Sequence, residues 1–256
     1  MSNKKEREKR REARLAEEAK ASTGDRRTRL LQIGAGAVFL AIVAVVVVIV
    51  IAGSSSDSGG DAENLQEVSQ VDSLVNGIPQ SKLVLGDPKA PVELIEYGDL
   101  QCPVCKTYSE EILPPIVEKQ VKNGELKIIF RNFLIIGEES LPAGAAAIAA
   151  GAQGRGWNFL ELFYRNQGKE NSGYVTDEFL EAVAKGAGVK DMAKFNEERK
   201  SKEVEEEAER TSEQASTLGF EGTPSFAIKG PKSNGLELLG TMESVQQLEE
   251  EVEKVS

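Results

Sequence analysis

Residues 92–108 read VELIEYGDLQCPVCKTY. The first six, VELIEY, form a short apolar run of the kind buried in a sheet. Gly98-Asp99-Leu100-Gln101 then turns the chain into Cys102-Pro103-Val104-Cys105. A helix is expected to open at this motif, because Pro103 suits a first helical turn, where its missing N–H costs nothing. Helical pattern continues to about residue 122 and is stopped by Asn123-Gly124. Pro114 and Pro115 fall inside it and are expected to kink or split it. Residues 126–133, LKIIFRNF, form a second strand. Strand, helix, strand implies a right-handed crossover and a parallel pair.

Outward from this unit, residues 82–85 read as a short strand ending at Gly86-Asp87-Pro88. Helical patterning returns over 140–153, 156–167, 176–186 and 191–218, with Gly-rich breaks between. Beyond Gly222-Thr223-Pro224, residues 225–229 (SFAIK) and 236–239 read as strands, and 242–254 as a closing helix. The fold class is α/β, with strands at both ends of the domain and a helical block between them. Trp157, Phe159, Leu160, Leu162 and Phe163 are expected to pack in the core. The acidic stretch at 201–210 reads as a solvated helix face.

Cys102 and Cys105 are the only cysteines of the chain. At a helix N-terminus the unpaired N–H groups and the helix dipole stabilise a thiolate. The first cysteine therefore faces the positive end and solvent, with its pKa below the free value of about 8.5. The second lies one turn in and is shielded. This makes Cys102 the expected attacking thiolate and Cys105 the resolving thiol. A structural disulfide, half of a metal site shared with another chain, and inert thiols are the alternatives. A disulfide across two intervening residues closes too small a loop to stabilise much.

Two separated stretches, VELIEYGDLQCPVCKTY and GFEGTPSFAIKG (residues 219–230), resemble the thioredoxin superfamily. The long helical block, with 117 residues between Cys105 and Thr223, is similar to its DsbA-like branch of exported thiol:disulfide oxidoreductases. The resemblance implies a thioredoxin-like fold with a helical insertion at about 138–218. It also implies a cis proline at Pro224 beside the cysteines and substrate pairing with the backbone of Thr223. By the same likeness, Glu96 is a buried acid that exchanges a proton with Cys105. Familiar DsbA proteins carry His where this chain has Val104. Valine cannot add a cationic partner for the thiolate, so a less acidic Cys102 and a less oxidising disulfide are expected.

The rest of the sequence bounds the setting. The chain has 256 residues, no His and a net charge of −11. Without His there is no Ser-His-Asp or Cys-His catalysis and no HExxH zinc site. The acidic balance argues against a nucleic-acid partner. Residues 1–29 hold 11 basic and 6 acidic residues, net +5, whereas the 227 that follow hold 20 and 36, net −16. Residues 30–56 carry no charge, and residues 33–52 (IGAGAVFLAIVAVVVVIVIA) are long enough at ~1.5 Å each to span a bilayer's core. Arg26, Arg27 and Arg29 precede this run and no Lys or Arg follows until Lys82, which places the N-terminus inside. The expected order is a basic cytoplasmic tail (1–29), a transmembrane helix (30–52), a flexible linker (53–76) and an extracytoplasmic catalytic domain (77–256) on the cell membrane. A cleavable signal peptide competes with the anchor and exports the same domain.

The expected activity is oxidation of thiols in exported proteins or peptides, through the Cys102–Cys105 pair, in a monomer needing no metal or organic cofactor. Reoxidation by a quinone-coupled membrane partner follows from the resemblance. A reductase of the same fold and a non-catalytic tethered binding module are the alternatives.

Overall fold

The computed structural model of the protein describes residues 64–256. The expected basic tail, the transmembrane segment and the linker up to residue 63 lie outside these residues. Among the described residues, no helix is long and apolar enough to cross a membrane.

The fold is built on a six-stranded sheet ordered β1-β2-β4-β3-β5-β6. The strands are β1 (Gln80–Ser81), β2 (Val84–Leu85), β3 (Val92–Gly98), β4 (Leu126–Asn132), β5 (Ser225–Lys229) and β6 (Glu237–Gly240). Strands β3 and β4 are parallel, and β5 lies antiparallel on the other side of β3. β3 is therefore central, which explains why VELIEY is at least half-buried on both faces. Val92, Leu94 and Glu96 alternate onto one face, as the period of two requires. In register beside Glu96 stand Phe130 on β4 and Phe226 on β5, both buried. The acid thus lies between two phenyl rings in the middle of the sheet.

Helix α1 (Val68–Val75) precedes β1 and buries Val71, Leu74 and Val75 in the main core. The flexible linker expected through residue 76 is corrected here, because three apolar residues at helical spacing give this part of it a buried face. After β3 the chain enters α2 (Pro103–Thr107), a π-helical turn (Tyr108–Ile112), α3 (Leu113–Ile116) and a second π-helical turn (Val117–Val121). The expected proline break takes this widened form: Leu113 N–H reaches back five residues to Tyr108 O, just before Pro114 and Pro115 remove two donors. The path stays continuous while its side chains shift phase.

Between β4 and β5 lie α4 (Ser140–Ala152), α5 (Gly156–Arg165), α6 (Asp177–Gly186), α7 (Met192–Glu198) and α8 (Lys202–Thr217). The single helical stretch expected over 191–218 is two helices, because Ser201 Oγ accepts from Val204 N–H at 3.3 Å and starts a new one. Trp157, Phe159, Leu160, Leu162 and Phe163 are all buried on α5, and Phe163 meets Phe179 edge-on with ring centroids 5.2 Å apart. This block and the sheet share one hydrophobic core. A smaller cluster under the opposite face joins Tyr97, Phe133 and Ala227 to Ala215 of α8. Helix α9 (Val245–Val255), capped by Ser244, closes the chain by burying Leu248, Val252 and Val255.

The run of small residues in α4 reflects close approach. A Cβ on Gly144 would stand 2.6 Å from Asn132 Oδ1, and one on Gly151 would stand 2.9 Å from the Lys82 backbone carbonyl. Backbone cannot yield as a flexible side chain can. Gly151→Val is therefore expected to lower stability by about 1–3 kcal/mol, read as a lower urea midpoint with an unchanged slope.

Candidate active site

The turn from β3 into α2 is held by buried polar groups. The carboxylate of Asp99, fully buried, accepts from Gln101 N–H at 2.9 Å and from Ile135 and Ile136 N–H at 2.9 and 3.0 Å. Gln101, also fully buried, donates to Ser140 Oγ at 3.1 Å and accepts from Asn171 N–H at 2.9 Å. Gln167 Nε2 donates to Leu100 O at 2.7 Å and to Cys102 O at 3.1 Å. Three of these partners, Ser140, Gln167 and Asn171, belong to the helical block. The block therefore clamps the loop that presents the cysteines.

Cys102 is the N-cap of α2, in extended conformation, and Pro103 occupies the first helical position. Cys105 N–H donates to Cys102 Sγ at 3.4 Å. The Cys102 thiol lies 3.4 Å from Thr223 O, to which it donates in its protonated form. The Thr223–Pro224 peptide is cis, and Pro224 is buried beside the pair. Both cysteines are free thiols. The expectation that Cys102 faces solvent is corrected: the residue is 3% exposed, because the Thr223 carbonyl and the first turn of α2 enclose it. The exposed neighbours are Pro103 and Val104, the latter at 53%.

Cys102 is pulled down from 9.0 to about 6. Hydrogen bonding from the Cys105 side chain is the main cause. Burial opposes it, while the Thr223 side chain and the Cys105 and Val104 backbone N–H groups help it. Cys105 moves the other way, well above the ordinary thiol value, through burial first and then its hydrogen bond to Cys102. The two sulfurs thus have opposite proton preferences, as an attacking and a resolving thiol require. The thiolate is stabilised without any help from the side chain at 104.

Beneath the pair lies Glu96, 2% exposed and raised to about 8, by burial first, then by the charges of Glu161 and Cys102. Its Oε1 and the hydroxyl of Tyr108 find no hydrogen-bond partner among the described residues. Every site residue expected from the sequence falls in this one neighbourhood. Asp99, Gln101, Gln167 and Glu161 were not among them. Asp99 and Gln101 flank the motif directly, and two polar residues between a buried strand and a cysteine pair were the available signal. Gln167 and Glu161 lie in a segment whose pattern speaks only of helix, so nothing local marked them.

Because only the thiolate reacts, alkylation of reduced Cys102 by iodoacetamide is expected to reach half its maximal rate near pH 6. Below that the rate should fall about tenfold per pH unit, while Cys105 stays unlabelled at neutral pH. Mass mapping of the labelled peptide across a pH series checks both.

The family model described as thioredoxin matches residues 80–247. A protein of Bacillus cereus named probable disulfide bond formation protein D is 32% identical over 153 residues, covering 59% of this chain and 71% of that protein. Among solved structures, oxidised BdbD of Bacillus subtilis aligns with a TM-score of 0.61 at 24% identity, over 71% of this chain and 97% of that one. A thioredoxin-like oxidoreductase of Silicibacter pomeroyi aligns at 0.53 and 27% identity, over 72% and 95%. The chain belongs to the thioredoxin family, among its DsbA-like thiol:disulfide oxidoreductases.

Proposed function

We propose that the protein works as a disulfide oxidase for exported proteins, tethered to the cell membrane by residues 30–52 with its catalytic domain outside. The observation that carries the oxidising direction is the depressed Cys102 thiol. Whatever stabilises a thiolate in the folded protein stabilises the reduced state, and so makes the disulfide a stronger oxidant. The names of the Bacillus relatives, probable disulfide bond formation protein D and disulfide bond formation protein D, favour the same direction.

In the proposed cycle, a substrate thiolate attacks Cys102 Sγ of the Cys102–Cys105 disulfide. A sulfur–sulfur bond forms between substrate and Cys102, and the Cys102–Cys105 bond breaks with its electron pair on Cys105. The protonated Glu96 carboxyl gives its proton to that sulfur, becoming a carboxylate while Cys105 becomes a thiol. A second substrate thiolate then attacks the substrate sulfur of the mixed disulfide, and the pair of the breaking bond leaves on Cys102 as thiolate. The substrate has lost two electrons and two protons. Both substrate protons leave to solvent as the substrate thiols ionise. The protein holds both electrons, and Glu96 regains from solvent the proton it gave to Cys105. Thr223 and Pro224 form the wall against which an extended peptide would lie, and exposed Val104 and Ile135 offer it apolar contact. A quinone-coupled membrane protein is the proposed acceptor that restores the disulfide.

The reduction potential against glutathione tests the direction. A value above about −200 mV is expected, and one far below it overturns the oxidase reading in favour of a reductase. Cys102→Ser should abolish oxidation of a reduced, unfolded substrate, whereas Cys105→Ser, offered a disulfide-containing peptide, should be held as the mixed disulfide at Cys102 with release of the peptide's other thiolate. Activity retained in Cys102→Ser would leave only a binding module.

The same linkage makes a second measurable difference. Cys102 changes from 9.0 to about 6 on folding, so its thiolate contributes stability that is complete above pH 9 and lost as pH falls through about 6. The disulfide form has no such group. The reduced chain should therefore unfold at a higher temperature than the oxidised one at pH 8, with the gap closing towards pH 5.

A further inference from the structure

The active-site helix is joined from below by a second buried acid. Glu161, on α5 of the helical block, is 1% exposed. Ser109 Oγ donates to its Oε1 at 3.1 Å, and Ser109 lies four residues after Cys105 on the same helical path. Arg165 Nη1 donates to Glu161 Oε2 at 2.7 Å, while its Nε stands 3.1 Å from Oε2 of Glu67, a half-exposed residue just before α1. Glu161 therefore has a counter-ion and a hydroxyl donor, whereas Glu96 has an unpartnered oxygen and a phenyl ring on each side. When two acids share a buried space, the negative charge settles on the one with donors and the proton on the one without.

We propose that Glu161 is a positioning residue for proton delivery to Cys105, acting through Glu96. This rests on the reading of Glu96 as the proton donor given above. An ionised Glu161 repels ionisation of Glu96 and keeps its proton in place at neutral pH. When the Cys102–Cys105 bond breaks and the electron pair falls on Cys105, the proton passes from Glu96 to that sulfur, Glu96 becomes a carboxylate and Glu161 is unchanged. The ordering of proton affinities agrees: Glu161 rises only to about 6, because Arg165 offsets burial, whereas Glu96 rises to about 8. The other ionisable groups facing this space are Cys102, Tyr108 and Glu110 from the active-site helix, Asp99 from the turn, and Tyr164 from α5. Arg165 is the one cation among the groups named, so Glu161 alone of the two acids has its charge balanced.

The test uses the full chain in its disulfide form, reduced by glutathione across pH 5–10. Rates are normalised to the glutathione thiolate present, and the protonated-carboxyl infrared band is followed in parallel. Wild type should lose rate and band together above a midpoint that burial and Glu161 raise well above the ordinary carboxylate range. That midpoint lies below the value of about 8 of the reduced form, because the Cys102 charge is absent from the disulfide. Glu161→Gln keeps the size and the hydrogen-bond acceptor for Ser109 but removes the charge, and should lower that midpoint by about one pH unit. Ser109→Ala, which removes the donor to Glu161 and an acceptor for Arg165 Nη1, should move it the same way by less, and serves if Glu161→Gln fails to fold. A role confined to packing would lower the unfolding temperature and leave the midpoint in place, and that result overturns the proposal. Glu96→Gln separates the two readings. If it abolishes the transition while Glu161→Gln leaves it unmoved, Glu96 stands as donor and Glu161 falls. If Glu96→Gln keeps the wild-type profile, both fall.

Discussion

A sulfur anion on residue 102 can exist inside this protein because the chain passes from an extended strand into a helix at that atom. The cap position gives Cys102 the first free N–H groups of α2, and the thiol of Cys105 turns towards it. Both depend on the turn keeping its shape. Asp99 and Gln101 supply that rigidity, with Ser140, Gln167 and Asn171 contributing to the turn from a helical block far away in sequence. Reactivity here is thus a tertiary property. The four-residue motif supplies the atoms, and the packing of the block against the sheet supplies their arrangement.

The same packing divides the protons. Burial alone would raise every acid near the centre. The difference between Cys102 and Cys105, and between Glu161 and Glu96, comes from which member of each pair receives donors. Glu96 is deprived of them by the register of the sheet, which places Phe130 and Phe226 at its sides. A shift of one residue in either neighbour would turn those rings to the opposite face and change the acid's surroundings.

Much of this was legible in the residues. The central strand, the proline-capped helix start, the parallel crossover and the core face of α5 follow from apolar periodicity and turn chemistry, because local pattern and final packing agree there. The break at Pro114 and Pro115 was legible as a break, but not as a pair of widened turns. That outcome depends on which carbonyls the surrounding structure leaves available. The exposure of Cys102 was misjudged because its cover comes from Thr223, 121 positions away. Helix α1 was hidden in a stretch rich in Ser, Asp and Gly, where Val68, Val71, Leu74 and Val75 carry the signal alone. Glu161 and Gln167 were silent for a similar reason: a polar residue on a helix looks solvated until the partner that buries it is known.

Val104 stands apart from these constraints. It lies between the two reactive positions, more than half in water, and contributes to the sulfur chiefly through its main-chain N–H. Its side chain is thus free of the packing that fixes Cys102 and Cys105. Replacing it would alter the electric field at the sulfur with little penalty to folding. Redox strength is therefore the one trait of this centre that evolution, or an engineer, can retune independently of the architecture around it.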